Sequence, residues 1–317
     1  MFIVHTFVIP NNISMKPFKS ILEFQKHFDT NEKCRFHLEQ QRWGDTPACP
    51  FCASVNVTRL KVGTRFQCNE KQCRKQFSVL VGTVAENTKI PLTKWFLAMY
   101  ILSNHSKGIS SLQLSGWLGV TQKTAWFLNH RIREMLTEKA PEVLRGVVEV
   151  DETYVGGSIS NKHVSKRKEI GRFDNKTIVF GALEREGKVH TKILPNTTGY
   201  ILEDTVKEKV ETGAIMVSDE NCGYENLKDN YRHVTVNHSK KEYVRGAAHT
   251  NTIEGFWSLL KRQINGIHHS VSPKHLQRYC NESAYRYNRK LLPQDERFKQ
   301  ALNNFEGSLK YNELIKN

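Results

Sequence analysis

Between residues 146 and 236 the apolar positions gather into short runs of strand length, at 146–154, 177–184, 189–194, 214–218 and 233–236. A helical spacing interrupts them at 199–210, where Asp204, Lys207 and Glu211 fall on the outer side. A second helix fits the stretch from His249 to Lys261, and 272–317 reads as terminal helices. Upstream the pattern is different. Ile21, Phe24, Phe28 and Leu38 carry a short helical pattern within 17–43. Short alternating runs at 57–62, 65–67 and 77–81 predict three small strands, and 91–136 is helical throughout. Within it, 108–128 has helix-turn-helix form: Ser110 or Ser111 can cap the first helix, Gly119 can make the turn and Thr121 can cap the second. Gly116 sits inside the first of these helices, at a cost of roughly 1 kcal/mol against alanine.

The order from residue 146 is three strands, a helix, a strand, a helix or loop, a strand and a helix. That is the succession of a ribonuclease H-like α/β domain, here preceded by two smaller modules. The expected division is a helix and small β module at 15–85, a helical region at 86–140, the α/β domain at 141–290 and a helical tail at 291–317. Residues 1–14 are apolar without a basic leader or a small-residue cleavage site. They read as an upstream extension before Met15.

Charge narrows the partner. Lys and Arg number 47 against 32 Asp and Glu, a net charge of +15 over 317 residues. The excess favours a polyanion, most simply nucleic acid. It is also clustered: Lys162, Lys166, Arg167, Lys168, Arg172 and Lys176 fall within fifteen residues, against Glu169 and Asp174. Lys261 and Arg262 form a second group. In the helix-turn-helix reading, Gln122, Lys123 and Arg131 would face a major groove. No apolar run reaches the length of a membrane span.

Four of the seven cysteines are paired at close spacing, Cys49 with Cys52 and Cys68 with Cys73. Two such turns can supply four thiolates to one tetrahedral zinc ion, and so small a module would depend on that metal to fold. Cys34, Cys222 and Cys280 are scattered. An odd count with no paired framework points to a reducing cytoplasm rather than to disulfides.

Three acids stand where chemistry could gather. Asp151 ends one apolar run and Asp219 another, while Glu254 lies on the later helix with Lys261 seven residues on, almost two turns along the same face. Three converging carboxylates would bind divalent metal for phosphoryl transfer. Glu152 and Glu220 adjoin two of them, but neighbours on a strand point to opposite faces, so at most one of each pair can enter the site. His238 and His249 read as polar loop residues, and Trp257 as core.

These features resemble the DDE-type insertion-sequence transposases that carry an N-terminal zinc ribbon and an ISXO-two-like catalytic domain. The likeness runs from about residue 17 to 290. It rests on Trp43, Cys49 to Cys52 (CPFC), Gly82 and Thr83, Lys89 to Leu97, Leu118 to Phe127, Val150 to Gly157 (VDETYVGG), His249 to Lys261 (HTNTIEGFWSLLK), Lys274 to Arg278 and Tyr285 to Arg289. The resemblance implies a catalytic triad of Asp151, Asp219 and Glu254 holding two Mg²⁺ (or Mn²⁺) ions, with Lys261 as the basic residue that follows. It implies structural zinc on Cys49, Cys52, Cys68 and Cys73. Its partners would be double-stranded DNA, as terminal inverted repeats and as target, and further copies of the chain in a synaptic complex at the nucleoid. Lys162, Lys166, Arg167, Lys168, Lys261 and Arg262 would contact that DNA.

Two rivals keep the fold and change the function. A DNA-binding regulator would bind without cutting. A nuclease or resolvase would hydrolyse without joining. Fold alone does not choose between them.

Overall fold

Residues 17–157, 163, 176–219, 222–236 and 249–316 are described in a computed structural model, with backbone only at 222 and 225. The basic positions Lys162, Lys166, Arg167 and Lys168, the extension 1–14, and Glu220 and His238 lie outside the described residues. The chain divides into two compact units. One is formed by residues up to 105, by 109–136 and by 291 onward, the other by 106–108 and 137–290.

The first unit begins with α1 (Ile21–His27) and α2 (Asn31–Trp43), each capped by a hydroxyl, Ser20 and Thr30, that accepts from a backbone N–H three residues on. A small antiparallel sheet follows, β1 (Val57–Arg59), β2 (Phe66–Cys68) and β3 (Gln76–Phe77). The run expected to continue as a strand to residue 81 leaves the sheet after Phe77. Val79 stays buried and Gly82 turns with φ 76°, so its apolar residues serve packing rather than pairing. Then come α3 (Leu92–Asn104), α4 (Ser111–Leu118) and α5 (Gln122–Met135). Between the last two, Ser110 and Thr121 are the N-caps, and Gly119 takes the left-handed conformation that a side chain would disfavour. The final residues fold back onto this unit. In α9 (Gln294–Asn303) Phe298 lies edge-on to Phe24 at 5.0 Å, in a ring cluster with Phe28, Phe96 and Tyr100. The short α10 (Tyr311–Ile315) sets Tyr311 against Phe127 of α5.

The second unit is a five-stranded mixed sheet. Its strands are β4 (Val147–Val155), β5 (Thr177–Glu184), β6 (Val189–Leu194), β7 (Ile215–Ser218) and β8 (Arg232–Thr235), in the order β6-β5-β4-β7-β8. The first three are antiparallel neighbours. β7 then runs parallel to β4, and β8 parallel to β7. Both faces are covered. Val148, Val150, Phe180 and Ala182 look toward α6 (Gly199–Lys209) and the 3₁₀ helix Cys222–Asp229, through Leu202, Val206, Tyr224 and Leu227. Val155, Val179 and Leu183 look toward α7 (Asn251–Gln263) and α8 (Pro273–Asn288), through Ile253, Phe256, Trp257, Leu260, Leu276 and Cys280. Covering both faces explains why these strands read as near-continuous apolar runs. No helix among the described residues is long and apolar enough to cross a membrane.

Candidate active site

β4 is the central strand and carries Asp151 on the face that α7 covers. The period of two sets this: Val148 and Val150 belong to one core, Val155 to the other, and Asp151 shares parity with Val155. Asp151 Oδ2 accepts a 2.8 Å hydrogen bond from the indole N–H of Trp257, which is 4% exposed on α7. Gly181 of β5 is the register partner of Asp151. A Cβ at Gly181 would lie 2.6 Å from the Trp257 ring, so glycine there makes the room in which the indole reaches Asp151.

Asp219 follows the last residue of β7. The parallel pairing of Glu149 with Val217 puts Asp219 level with Asp151 when the count is carried two residues further. The two acids feel each other. Burial pushes the Asp151 carboxyl up to about 7, the Trp257 hydrogen bond opposes this, and the charges of Asp219 and Glu152 add to it. Glu152 points the other way, as alternation requires, and accepts from the Tyr224 hydroxyl on the α6 side of the sheet. Burial and then the charge of Glu152 hold that phenol well above its ordinary range.

Glu254 lies in the first turn of α7, exposed, with the Thr250 hydroxyl 3.4 Å from Oε1. Lys261 is exposed nearly two turns along the same helix, and the neighbouring Arg262 donates to the Ser258 carbonyl at 3.1 Å. The structure thus puts Asp151 in the middle of β4 and Asp219 just past the end of the adjacent β7, and it packs the helix of Glu254 against β4. Among the described residues, the one group of three or more side chains gathered at metal-ligating distance is formed by the cysteines.

That group is Cys49, Cys52, Cys68 and Cys73, whose sulfurs all lie within 4.8 Å of one another. Cys49 and Cys73 are 3.7 Å apart, and Cys52 and Cys68 are 3.6 Å apart. Zinc–thiolate bonds of about 2.3 Å in a tetrahedron require sulfurs about 3.8 Å apart, so the donor set fits zinc. Each pair is closed by a left-handed residue, Ala53 at φ 66° and Arg74 at φ 49°. Phe66, Phe77 and Trp43 supply the little core around it.

On α5, Gln122 and Lys123 are exposed. Gln122 donates to Ser111 Oγ at 2.9 Å, and the Lys123 ammonium stands 4.9 Å from the Tyr311 ring centre. Arg131 is not on that surface. It is buried, donates to the Glu86 carbonyl at 2.7 Å and lies over the rings of Trp95 and Phe127. Burial lowers its pKa to about 10. The expected groove contact is corrected to a core role, because the C-terminal half of α5 is buried on nearly every side, from Leu128 to Arg133.

Residues 143–288 match the ISXO2-like transposase domain, and residues 29–76 match the transposase zinc-ribbon domain. The chain belongs to the transposases that join these two domains. A relative of this transposase is an uncharacterized protein in transposable element ISH50 of Halobacterium salinarum (strain ATCC 700922 / JCM 11081 / NRC-1). It is 28% identical over 269 residues, which is 80% of this chain and 90% of the relative. Among solved structures, the Mos1 strand transfer complex aligns at 14% identity over 68% of this chain and 78% of that one. Its TM-score of 0.26 is too low to bear on the fold.

Three residues at the site escaped the sequence reading in their roles. Trp257 is core, as read, and also holds Asp151. Gly181 could have been noticed as a glycine inside an apolar strand, the usual mark of a close approach. Glu149 left only the trace of an acid within an apolar run.

Proposed function

We propose that this transposase binds the terminal inverted repeats of its element and catalyses metal-dependent DNA strand cleavage and strand transfer. The acids would be Asp151, Asp219 and Glu254, in a domain of ribonuclease H-like fold. The observation that carries the reading is Asp151 on the central strand next to the parallel strand that Asp219 follows, bonded by Trp257 of the helix that bears Glu254. The strand order, with three antiparallel strands followed by two parallel ones, supports the fold reading.

The donor set suits a hard divalent cation such as Mg²⁺, which prefers carboxylate oxygen. Burial and a neighbouring negative charge both disfavour ionised Asp151, and a bound cation would offset both. Bound by these three acids, two such ions would activate water or a DNA 3′-hydroxyl and stabilise the leaving oxygen. The remaining steps belong to the chain. The Trp257 N–H fixes one oxygen of Asp151, and the carboxylate would turn its other oxygen to a ligand. Lys261 would neutralise a phosphate beside the scissile bond, with Arg262 nearby. The zinc ribbon and the α4–α5 pair, with Gln122 and Lys123 exposed, would read the element ends. The basic residues Lys162, Lys166, Arg167 and Lys168 would hold flanking DNA, and further copies of the chain would complete the synaptic complex.

Purified protein incubated with labelled element-end DNA and a target plasmid tests this reading. Joined products that need Mg²⁺, vanish with EDTA and are absent for Asp219→Ala are expected. Nicks without joining would favour the nuclease, and specific binding without any cutting would favour a regulator.

A further inference from the structure

The first turn of a helix leaves four N–H groups without partners, and a Ser, Thr, Asp or Asn at the N-cap normally meets one of them. α7 departs from this. Its N-cap, Thr250, makes no side-chain cap bond. The cap comes instead from Glu149, 103 residues upstream on β4. Glu149 Oε2 accepts from the backbone N–H groups of Thr252 and Ile253, both at 3.0 Å. Oε1 accepts from the Thr252 hydroxyl and from Arg185 Nε, both at 2.9 Å. Arg185 also donates through Nη2 to the carbonyl of His249, at 2.8 Å, which pins the chain as it enters the helix.

Glu149 is 0% exposed. A carboxylate so buried is costly unless it is paired and fully hydrogen-bonded. Here Arg185 supplies the charge, and the helix start supplies aligned donors and a favourable dipole. An apolar residue with an ordinary Thr or Asp cap would start the helix equally well. What the remote cap adds is a bond between two elements. Glu149 and Asp151 are two residues apart on the same face of β4. Thr252 and Ile253 immediately precede Glu254, and Trp257, one turn later, bonds Asp151. The helix is therefore tied to the strand on both sides of Glu254.

We propose that Glu149, with Arg185 as its counter-charge, is a positioning residue that sets Glu254 against Asp151 for divalent-metal binding. The inference rests on the metal-dependent reading of the three acids given above.

The test is Mn²⁺ binding by the zinc-loaded full chain, followed by electron paramagnetic resonance, beside the Mg²⁺ dependence of end cleavage. Glu149→Gln keeps the size but turns an NH₂ toward either Arg185 or the helix N–H groups. Loss of a group that orients a metal ligand typically costs about 10–100-fold in metal affinity or activity. Glu149→Gln is expected to weaken Mn²⁺ binding and raise the half-saturating Mg²⁺ by about that factor. Excess Mg²⁺ should restore cleavage, and end-DNA affinity in EDTA should stay within about twofold. Thr252→Val removes one of the four bonds with little change of shape and should shift both quantities the same way by a smaller factor. Unchanged metal dependence in both variants, with or without a lower melting temperature, would reduce Glu149 to a structural cap and overturn the proposal. A wild-type chain that neither binds Mn²⁺ nor cleaves would remove the metal-site reading, and this inference with it.

Discussion

Asp151→Asn is expected to make the metal-free protein more stable and to abolish strand cleavage. The Asp151 carboxyl sits at about 7 in the folded chain, against an ordinary 3.8, chiefly because it is buried. The folded state therefore binds this proton more tightly than the unfolded chain does. The group contributes its full stability below about pH 4, and that contribution is lost as pH rises through 7. Three pH units correspond to at most about 4 kcal/mol. Asparagine is neutral at every pH and can still accept from Trp257. At pH 8 the variant should gain a good part of this difference and melt several degrees higher, while at pH 4 the two proteins should melt alike. Catalysis should move the opposite way. Metal-held acids supply several kcal/mol of charge stabilisation in phosphoryl transfer, so cleavage should fall by about 10³-fold or more. End DNA should stabilise both proteins, and Mg²⁺ added to that complex should stabilise the wild type further while leaving the variant unmoved. Melting curves at the two pH values, with and without Mg²⁺, read all of this. A variant that is less stable at pH 8, or still cleaves, would detach Asp151 from the site.

Removing zinc is expected to unfold the ribbon. Around Cys49, Cys52, Cys68 and Cys73 the buried apolar residues are Phe66 and Phe77, with Trp43, Phe51, Val57 and Val81 partly covered. That is too little core to fold without help. Structural zinc on such a module contributes on the order of 10–16 kcal/mol apparent at neutral pH. Cys52→Ser, or treatment with a strong chelator, should release one zinc per chain and drop end-specific DNA binding toward the non-specific level, on the order of 10²-fold or more. Zinc release followed with a colorimetric chelator, beside gel-shift titrations on end and scrambled DNA, measures both. Intact end binding after complete zinc loss would take DNA recognition away from the ribbon.

How far the sequence could be read depended on which force shaped each element. The strands 177–184 and 189–194 appear with the bounds that their apolar runs predict, and the runs at 146–154, 214–218 and 233–236 are displaced by a single residue at one or both ends. These strands are buried on both faces, so burial alone marks them. The stretch 77–81 misled because Val79 and its neighbours are buried without pairing, and burial does not distinguish a strand from a packed loop. Arg131 misled for the opposite reason. Polar residues are expected outside, yet Asn129, His130, Arg131 and Arg133 are all buried where α5 is enclosed. Asp151 and Asp219 stood out because each ends an apolar run, and the alternation of a strand is what sends Asp151 and Glu152 to opposite faces of the sheet. What no local pattern could give was partnership across the chain. The bond between Trp257 and Asp151 spans 106 residues, and the cap from Glu149 to Ile253 spans 104. Such pairs exist only once the sheet has fixed which residues face α7.

The central claim is that Asp151, Asp219 and Glu254 share one divalent-metal site. Iron-directed cutting of the polypeptide tests it most directly. In the zinc-loaded complex with element-end DNA, Fe²⁺ in place of Mg²⁺, with ascorbate and peroxide, generates hydroxyl radicals that sever the backbone beside the bound ion. Mass spectrometry of the fragments should find cuts clustered at all three positions, suppressed together by excess Mg²⁺. Cuts that miss any one of the three, or that Mg²⁺ does not suppress, would contradict the claim.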